Sequence, residues 1–299
     1  QVRSDKEGDF LTSPEVSKYF GKIIRNWIHS ESNLKNIIEI GSGTGSLIEQ
    51  IGIKEITAVE LSFTARKELI KKGINTHTTI DELTTKTSDL IFGNEILDNI
   101  PCSIGLYKDE VWYEKVVLLE ENSLAYGLRP IRNEELDWIN KNNIVPNEDY
   151  EFEIQVNIDK FLNSVIKKIN PEKILLFDYG YEQKNRDKRM YSSLLRTYKN
   201  HHLSVDPIDD PGNIDITYDV NFSSISSELK YLGYDVTLKL QRDFLLDNGF
   251  NIFFDELQEK YIYAEGIEKL KINSELNGMK AIVDSNGLGG FYCLIAEKL

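Results

Sequence analysis

The chain has 299 residues, of which 49 are acidic and 35 basic, for a formal charge of −14. This balance excludes an extended nucleic-acid footprint, which needs a positive surface, and makes a cationic substrate or partner easier to hold. Hydrophobic residues at 40% and charged residues at 28% are globular proportions, and no apolar run approaches the ~20 residues that span a bilayer. A soluble protein without membrane insertion is expected, folded as one domain over residues 1–299 with insertions.

Two cysteines, Cys102 and Cys293, are too few and too far apart for a disulfide framework or a zinc cluster. A reducing compartment follows, cytoplasmic or, if a transit peptide once preceded Gln1, the mitochondrial matrix. The histidines at 29, 77, 201 and 202 offer no pair at metal-ligand spacing within a helix, so no metal site is expected.

Apolar runs at residues 36–40, 56–60, 90–93, 173–178, 236–240 and 291–296 read as strands, with helices near 46–50 and 63–72. Alternation of this kind predicts a Rossmann-like α/β sheet covered by helices on both faces. Ser62 is a candidate N-cap for the second helix. Two stretches break the rhythm. Residues 102–170 carry an alternating segment (111–119) and a helical one (133–140), a β-rich insertion with a helix. Residues 181–222 are polar and aromatic with little periodicity, which predicts a structured lid on the substrate side.

The first strand ends in Glu39-Ile40-Gly41-Ser42-Gly43-Thr44-Gly45 and opens a helix. Glycines there let the backbone approach a ligand and adopt positive φ. Glu60, nineteen residues after Gly41, closes the next strand, where a carboxylate can accept both hydroxyls of a ribose. A dinucleotide fingerprint would place its third glycine where Ser46 stands, so the G-x-G-x-G spacing favours a different adenosine cofactor. After the third clear strand comes Asn94-Glu95-Ile96-Leu97-Asp98. Carboxyl ends of strands line the ligand crevice of such sheets, which places Asn94, Glu95 and Asp98 at the reacting centre. An amide and two carboxylates can orient and deprotonate a cationic nitrogen. The competing reading is a capped helix start at Asn94 with solvated acids.

These motifs resemble the MidA-like family of class I S-adenosylmethionine-dependent methyltransferases. The resemblance begins at Gly8-Asp9-Phe10-Leu11-Thr12-Ser13-Pro14-Glu15 with Phe20-Gly21 and continues through residues 39–45, Glu60-Leu61-Ser62, Asn94-Glu95 with Asp98, and Asp178-Tyr179-Gly180-Tyr181. It extends over Arg196-Thr197-Tyr198, His201, Asp206-Pro207, Pro211-Gly212 and Asp215-Ile216-Thr217, then Gln241 with 244–246, so it covers nearly the whole chain. It departs at Leu194-Leu195, where the family has a Thr-Leu pair, and at Trp112-Tyr113-Glu114-Lys115-Val116, where many members carry an arginine pair.

The resemblance implies S-adenosylmethionine as cofactor, S-adenosylhomocysteine as product, and methylation of a protein arginine. It suggests as partner an exposed arginine on a protein, with a respiratory-complex subunit as the family's precedent. The expected cofactor residues are Thr12, Ser13, Glu15, Glu39, Gly41, Gly43, Gly45, Glu60, Leu61 and Asn94, the catalytic ones Glu95 and Asp98. Asp178, Tyr179, Arg196, His201, Asp215 and Thr217 are expected on the substrate and lid side. Methylation of a small molecule or another side chain, and a non-catalytic assembly role, are the alternatives; monomer and homodimer both stay open.

Overall fold

The computed structural model describes residues 11–31, 34–121, 123–146, 148–188, 194–199, 202–203 and 206–299. The chain divides into two compact units. The first runs through Ile96 and takes in Val165–Tyr179 and Gly233–Leu299, and the second comprises Leu97–Ser164 and Gly180–Leu232.

A seven-stranded sheet forms the centre of the first unit. Its strands are β1 (Ile37–Ile40), β2 (Thr57–Val59), β3 (Thr76–His77), β4 (Leu90–Asn94), β9 (Lys173–Asp178), β15 (Tyr234–Leu240) and β16 (Tyr292–Lys298), in the order β15-β16-β9-β4-β1-β2-β3. The five strands from β3 to β9 are parallel, while β16 runs antiparallel to both β9 and β15. Every residue of β1 is buried, as expected of a parallel strand covered on both faces. Chain order reverses between β1 and β4, and in an open α/β sheet that switch point opens a crevice at the carboxyl ends of the two strands.

Helices α1 (Ser13–Val16), α2 (Tyr19–Ser30), α3 (Ser46–Ile51), α4 (Phe63–Lys71), α8 (Gln241–Asp247), α9 (Phe250–Tyr263) and α10 (Gly266–Ile282) also belong to this unit. Along α2 the buried residues Tyr19, Phe20, Ile23, Ile24, Trp27 and Ile28 recur with helical period, so one stripe faces the core. Phe20, Phe177 and Phe244 meet edge to face with centroids 5.1 and 5.2 Å apart, joining α2, β9 and α8. A Cβ on Gly21 would stand 2.3 Å from that of Gln50, so glycine is what lets α2 approach α3.

The second unit holds an antiparallel sheet of β5 (Ser103–Lys108), β6 (Val111–Glu120), β7 (Ser123–Pro130) and β8 (Glu151–Ile154), in the order β7-β6-β5-β8. Helix α5 (Asn133–Lys141) supplies Trp138 and Ile139 to a core shared with Ile144, Phe152, Ile154 and Val156. Strands β10 (Gly180–Tyr181) and β14 (Val220–Asn221) pair in parallel. Strands β11 (Leu195–Lys199), β12 (His202–Leu203) and β13 (Asp215–Tyr218) form a three-stranded antiparallel sheet, and α7 (Phe222–Tyr231) follows β14. Helix α6 (Val156–Ile169) begins in this unit and ends in the first. Among the described residues no helix is long and apolar enough to cross a membrane, and no group of histidine, cysteine and acidic residues could hold a metal ion.

Candidate cofactor and active site

The glycine turn lies where β1 leaves the sheet. Gly41, Gly43 and Gly45 adopt φ of 72°, 52° and 86°, values that side chains rarely tolerate. A Cβ on Gly41 would stand 2.3 Å from Ile96 Cγ2 and one on Gly45 2.7 Å from Leu69 Cδ2, so these two glycines are also required by packing. Gly43 differs, because no protein atom lies within 4 Å of the Cβ it lacks. Its open side is where a ligand can meet the bare backbone.

Glu60 reaches back to this turn. Its Oε2 accepts from Gly43 N at 2.9 Å and its Oε1 from Ser62 N at 2.7 Å. A carboxylate has about four acceptor sites, so two backbone bonds fix its direction and leave capacity for ribose hydroxyls. Ser62 caps α4 by accepting from Ala65 N. Arg66, one turn further on, donates to the carbonyls of Glu60 and Leu61 at 2.8 and 2.5 Å and so holds the loop on which Leu61 stands 75% exposed. Sequence reasoning missed Arg66 and Ile96; the spacing of Arg66 from the cap was the available signal for the first.

Two buried acceptors at neighbouring strand ends have no hydrogen-bond partner: Glu39 Oε2 and Asn94 Oδ1. Burial pushes the Glu39 carboxyl up to about 8; a hydrogen bond involving Ser42 lowers it and the charge of Glu60 raises it further. An unsatisfied buried acceptor is costly, and two of them at neighbouring strand ends beside the glycine turn suit a donor or a positive charge. A sulfonium cofactor with an ammonium group fits that pair of acceptors.

The raised pKa has a testable consequence. Because the folded value lies above the unfolded one, stability is full below about 4.5 and is lost as pH rises toward about 8. In the ligand-free chain, Glu39→Gln is expected to remove this loss. Its melting temperature relative to the parent should rise across that window by an amount equivalent to a few kcal/mol, on the order of the shift itself. A pH-independent difference between the two melting curves would refute the assignment.

Asn94 Nδ2 donates to Glu95 Oε1 at 2.9 Å, and Glu95 N donates to Phe177 O at 2.8 Å. Glu95 takes φ of 53°, a left-handed conformation that costs a non-glycine residue about 1 kcal/mol or more and that clusters at functional sites. The helix considered as the alternative at Asn94 does not form, since Asn94 ends β4 and a turn closed by Ile100 N on Leu97 O follows. Asp178, fully buried at the end of β9, accepts from Tyr179 N at 2.9 Å, and the Tyr179 ring packs on Phe291 at 5.2 Å.

Thr12, Ser13 and Glu15 build the start of α1. Thr12 N and Oγ1 both donate to Glu15 Oε2, at 3.0 and 3.2 Å. Ser13 Oγ donates to Gln241 Oε1 at 3.2 Å, and Gln50 Nε2 donates to Pro14 O, so this segment is tied to α8 and to the helix that follows the glycine turn.

Within the second unit Asp98 is buried, accepting from Thr217 Oγ1 and Asn99 Nδ2 at 2.7 Å each. Tyr218 Oη lies 3.0 Å from Leu97 O and 2.6 Å from Ile100 O, its one proton shared between the two carbonyls, so β13 holds the turn that carries Asp98. Arg196 stands opposite Thr217 in the β11–β13 register, Asp215 opposite Tyr198, and Arg196 pairs with buried Asp219, an acid that sequence reasoning missed. The acid next to the Asp215-Ile216-Thr217 run was the signal. His201 lies outside the described residues.

Residues 21–237 match the profile of a family described as "Putative S-adenosyl-L-methionine-dependent methyltransferase". The chain is 25% identical to the protein arginine methyltransferase NDUFAF7 homolog, mitochondrial, of Caenorhabditis elegans, over 81% of this chain and 66% of the relative. It is 24% identical to the Drosophila melanogaster homolog over 74% of this chain and 60% of that one. The chain thus spans about two thirds or less of the length of these relatives. A crystal structure of a superfamily member from Burkholderia thailandensis, bound to S-adenosyl-homocysteine, shares the fold with a TM-score of 0.85 at 21% identity, over 100% of this chain and 82% of that one.

Proposed function

The chain belongs to that methyltransferase family, and from this premise we propose that it transfers the methyl group of S-adenosylmethionine to a protein nitrogen, that of an arginine. The observation that carries the reading is the pair of buried, unpartnered acceptors, Glu39 Oε2 and Asn94 Oδ1, beside a glycine turn open at Gly43. The bound cofactor supplies an electrophilic methyl carbon on a sulfonium. Gly41, Gly43 and Gly45 offer it bare backbone, Glu60 takes the ribose, Leu61 covers an apolar face, and Glu39 and Asn94 face its methionine end. Thr12, Ser13 and Glu15 brace the segment over α3.

Arginine as acceptor rests on the names of the relatives and on charge. A guanidinium is protonated at neutral pH, and a carboxylate binds it through paired, charge-assisted bonds. Glu95 is assigned that role, with Asp98 as the second acid, and Asp178, Tyr179, Arg196, Asp215 and Thr217 as residues of the substrate side. A basic segment is easily attracted to a chain of charge −14. A respiratory-complex subunit is the target class to try first. Incubation of the chain with isotopically labelled cofactor and a mitochondrial or bacterial protein extract, followed by mass spectrometry, should show label on arginine nitrogen. Label confined to lysine, carboxylate or small molecules would reject the arginine assignment.

A further inference from the structure

The turn that joins β2 to α4 is held by one side chain reaching backward along the sequence. Arg66 engages the carbonyls of three successive residues. Its backbone N–H donates to Ser62 O at 3.0 Å as α4 begins, and its Nη1 donates to Glu60 O at 2.8 Å and to Leu61 O at 2.5 Å. The latter two carbonyls precede the Ser62 cap and lie outside the helical ladder, so their donor has to come from a side chain or from water.

By the electrostatics of the helix alone, a cation is misplaced here. Arg66 stands in the first turn of α4, where the dipole presents its positive end and favours acids, yet that turn holds no acidic residue and Lys67 follows directly. A residue that breaks a local rule is expected to serve something beyond the helix, and Arg66 serves the turn before it. Its side chain is half-buried, with the guanidinium carbon 6.0 Å from the centroid of the Phe63 ring.

The turn carries the Glu60 carboxylate, which bridges Gly43 N and Ser62 N at 2.9 and 2.7 Å. Leu61 O and Ser62 N–H belong to one planar peptide group, so fixing the direction of the carbonyl fixes that of the N–H. Arg66 on Leu61 O thereby aims the Ser62 N–H at Glu60 Oε1, and a single peptide plane links guanidinium to carboxylate. On the other side, Glu60 N donates to His77 O at 3.0 Å, which ties the same residue to the end of β3.

We propose that Arg66 is a positioning residue for the cofactor, holding the Glu60 carboxylate in the direction from which it meets the ribose, so that its influence on affinity passes through that carboxylate. The inference rests on the assignment of Glu60 to the ribose. Without Arg66 the two peptide groups flanking Leu61 regain rotational freedom, and binding has to order the carboxylate before it can use it.

Calorimetric titration with S-adenosylhomocysteine, paired with a thermal melt of each variant, tests this. Arg66→Ala is expected to bind about tenfold more weakly than the parent, and Arg66→Lys, a charged donor on a shorter stem, to recover part of the loss. In a Glu60→Ala background the same Arg66→Ala should change affinity less than about twofold, because the group it orients is gone. A purely structural role would lower the melting temperature without this non-additivity. Arg66→Gln, uncharged and compatible with a helix, repeats the comparison where Arg66→Ala does not fold. Parent-like affinity in a folded, uncharged variant at 66, or a loss of equal size with and without Glu60, would overturn the proposal. Parent-like affinity in Glu60→Ala is a different failure, since it would remove Glu60 from the ribose and the premise of the proposal with it.

Discussion

Gly43→Val is expected to abolish measurable binding of S-adenosylmethionine while leaving the chain folded. The expectation depends on how the three glycines of the turn differ. Valine at 41 or 45 would strike Ile96 or Leu69, at 2.3 and 2.7 Å from the first added carbon, so lost binding there would be indistinguishable from lost packing. At Gly43 that carbon meets nothing within 4 Å, and the two methyl groups extend into the open space where the ligand is to lie. The fold still bears a cost, because φ of 52° is unfavourable for a β-branched residue by about 1–2 kcal/mol. A domain of this kind has about 5–15 kcal/mol in reserve, so the variant should melt a few degrees lower but cooperatively. Calorimetric titration with S-adenosylhomocysteine, paired with a thermal melt, separates the two effects. Parent-like affinity in the folded variant would move the cofactor away from this turn.

Why this turn was legible and other parts were not is a matter of which interactions are local. The run from Glu39 to Gly45, with Glu60 nineteen residues after Gly41, is encoded by consecutive residues whose backbone needs leave a trace in glycine spacing. The strands at β1, β4 and β9 were visible because burial on both faces forces continuous apolar runs. Strand β3 has only Thr76 and His77 and therefore no pattern to read. The polar stretch that becomes β10 to β14 was anticipated as structured but not as strands, since its order comes from partners distant in sequence. Thr217 on Asp98 spans 119 positions and Leu194 N on Glu153 spans 41. Thr12, Ser13 and Glu15 show the converse: the sequence singled them out as residues of interest, and the structure joins Thr12 to Glu15 at the start of α1 while Ser13 reaches Gln241, 228 positions away. A motif can thus be recognised before it is known whether its side chains serve a ligand or a helix end.

Glu95→Gln is expected to leave cofactor affinity within a few-fold of the parent while raising the barrier to methyl transfer by about 2–4 kcal/mol, the scale of losing one key electrostatic contact. The substitution is nearly isosteric, and its amide oxygen can still accept from Asn94 Nδ2, which now reaches Glu95 Oε1 at 2.9 Å. The backbone bond from residue 95 to Phe177 O and the positive φ do not depend on the side chain, so the substitution acts chiefly by removing the charge. If that charge holds a guanidinium by two nitrogens, its removal weakens both the orientation of the attacking nitrogen and the stabilisation of the charge it gains as the carbon–sulfur bond breaks. Asp98→Asn should behave differently. Both carboxylate oxygens of Asp98 already accept hydrogen bonds, from Thr217 and Asn99, so one accepting position would become a donor facing a donor. Its cost should therefore fall more on stability, about 1–3 kcal/mol, and less on the chemical step. Single-turnover rates with an identified protein substrate are the measurement, because product release can hide chemistry in steady state. Equal rates for the parent and Glu95→Gln would remove Glu95 from the reaction and leave its left-handed backbone as a feature of the strand exit alone.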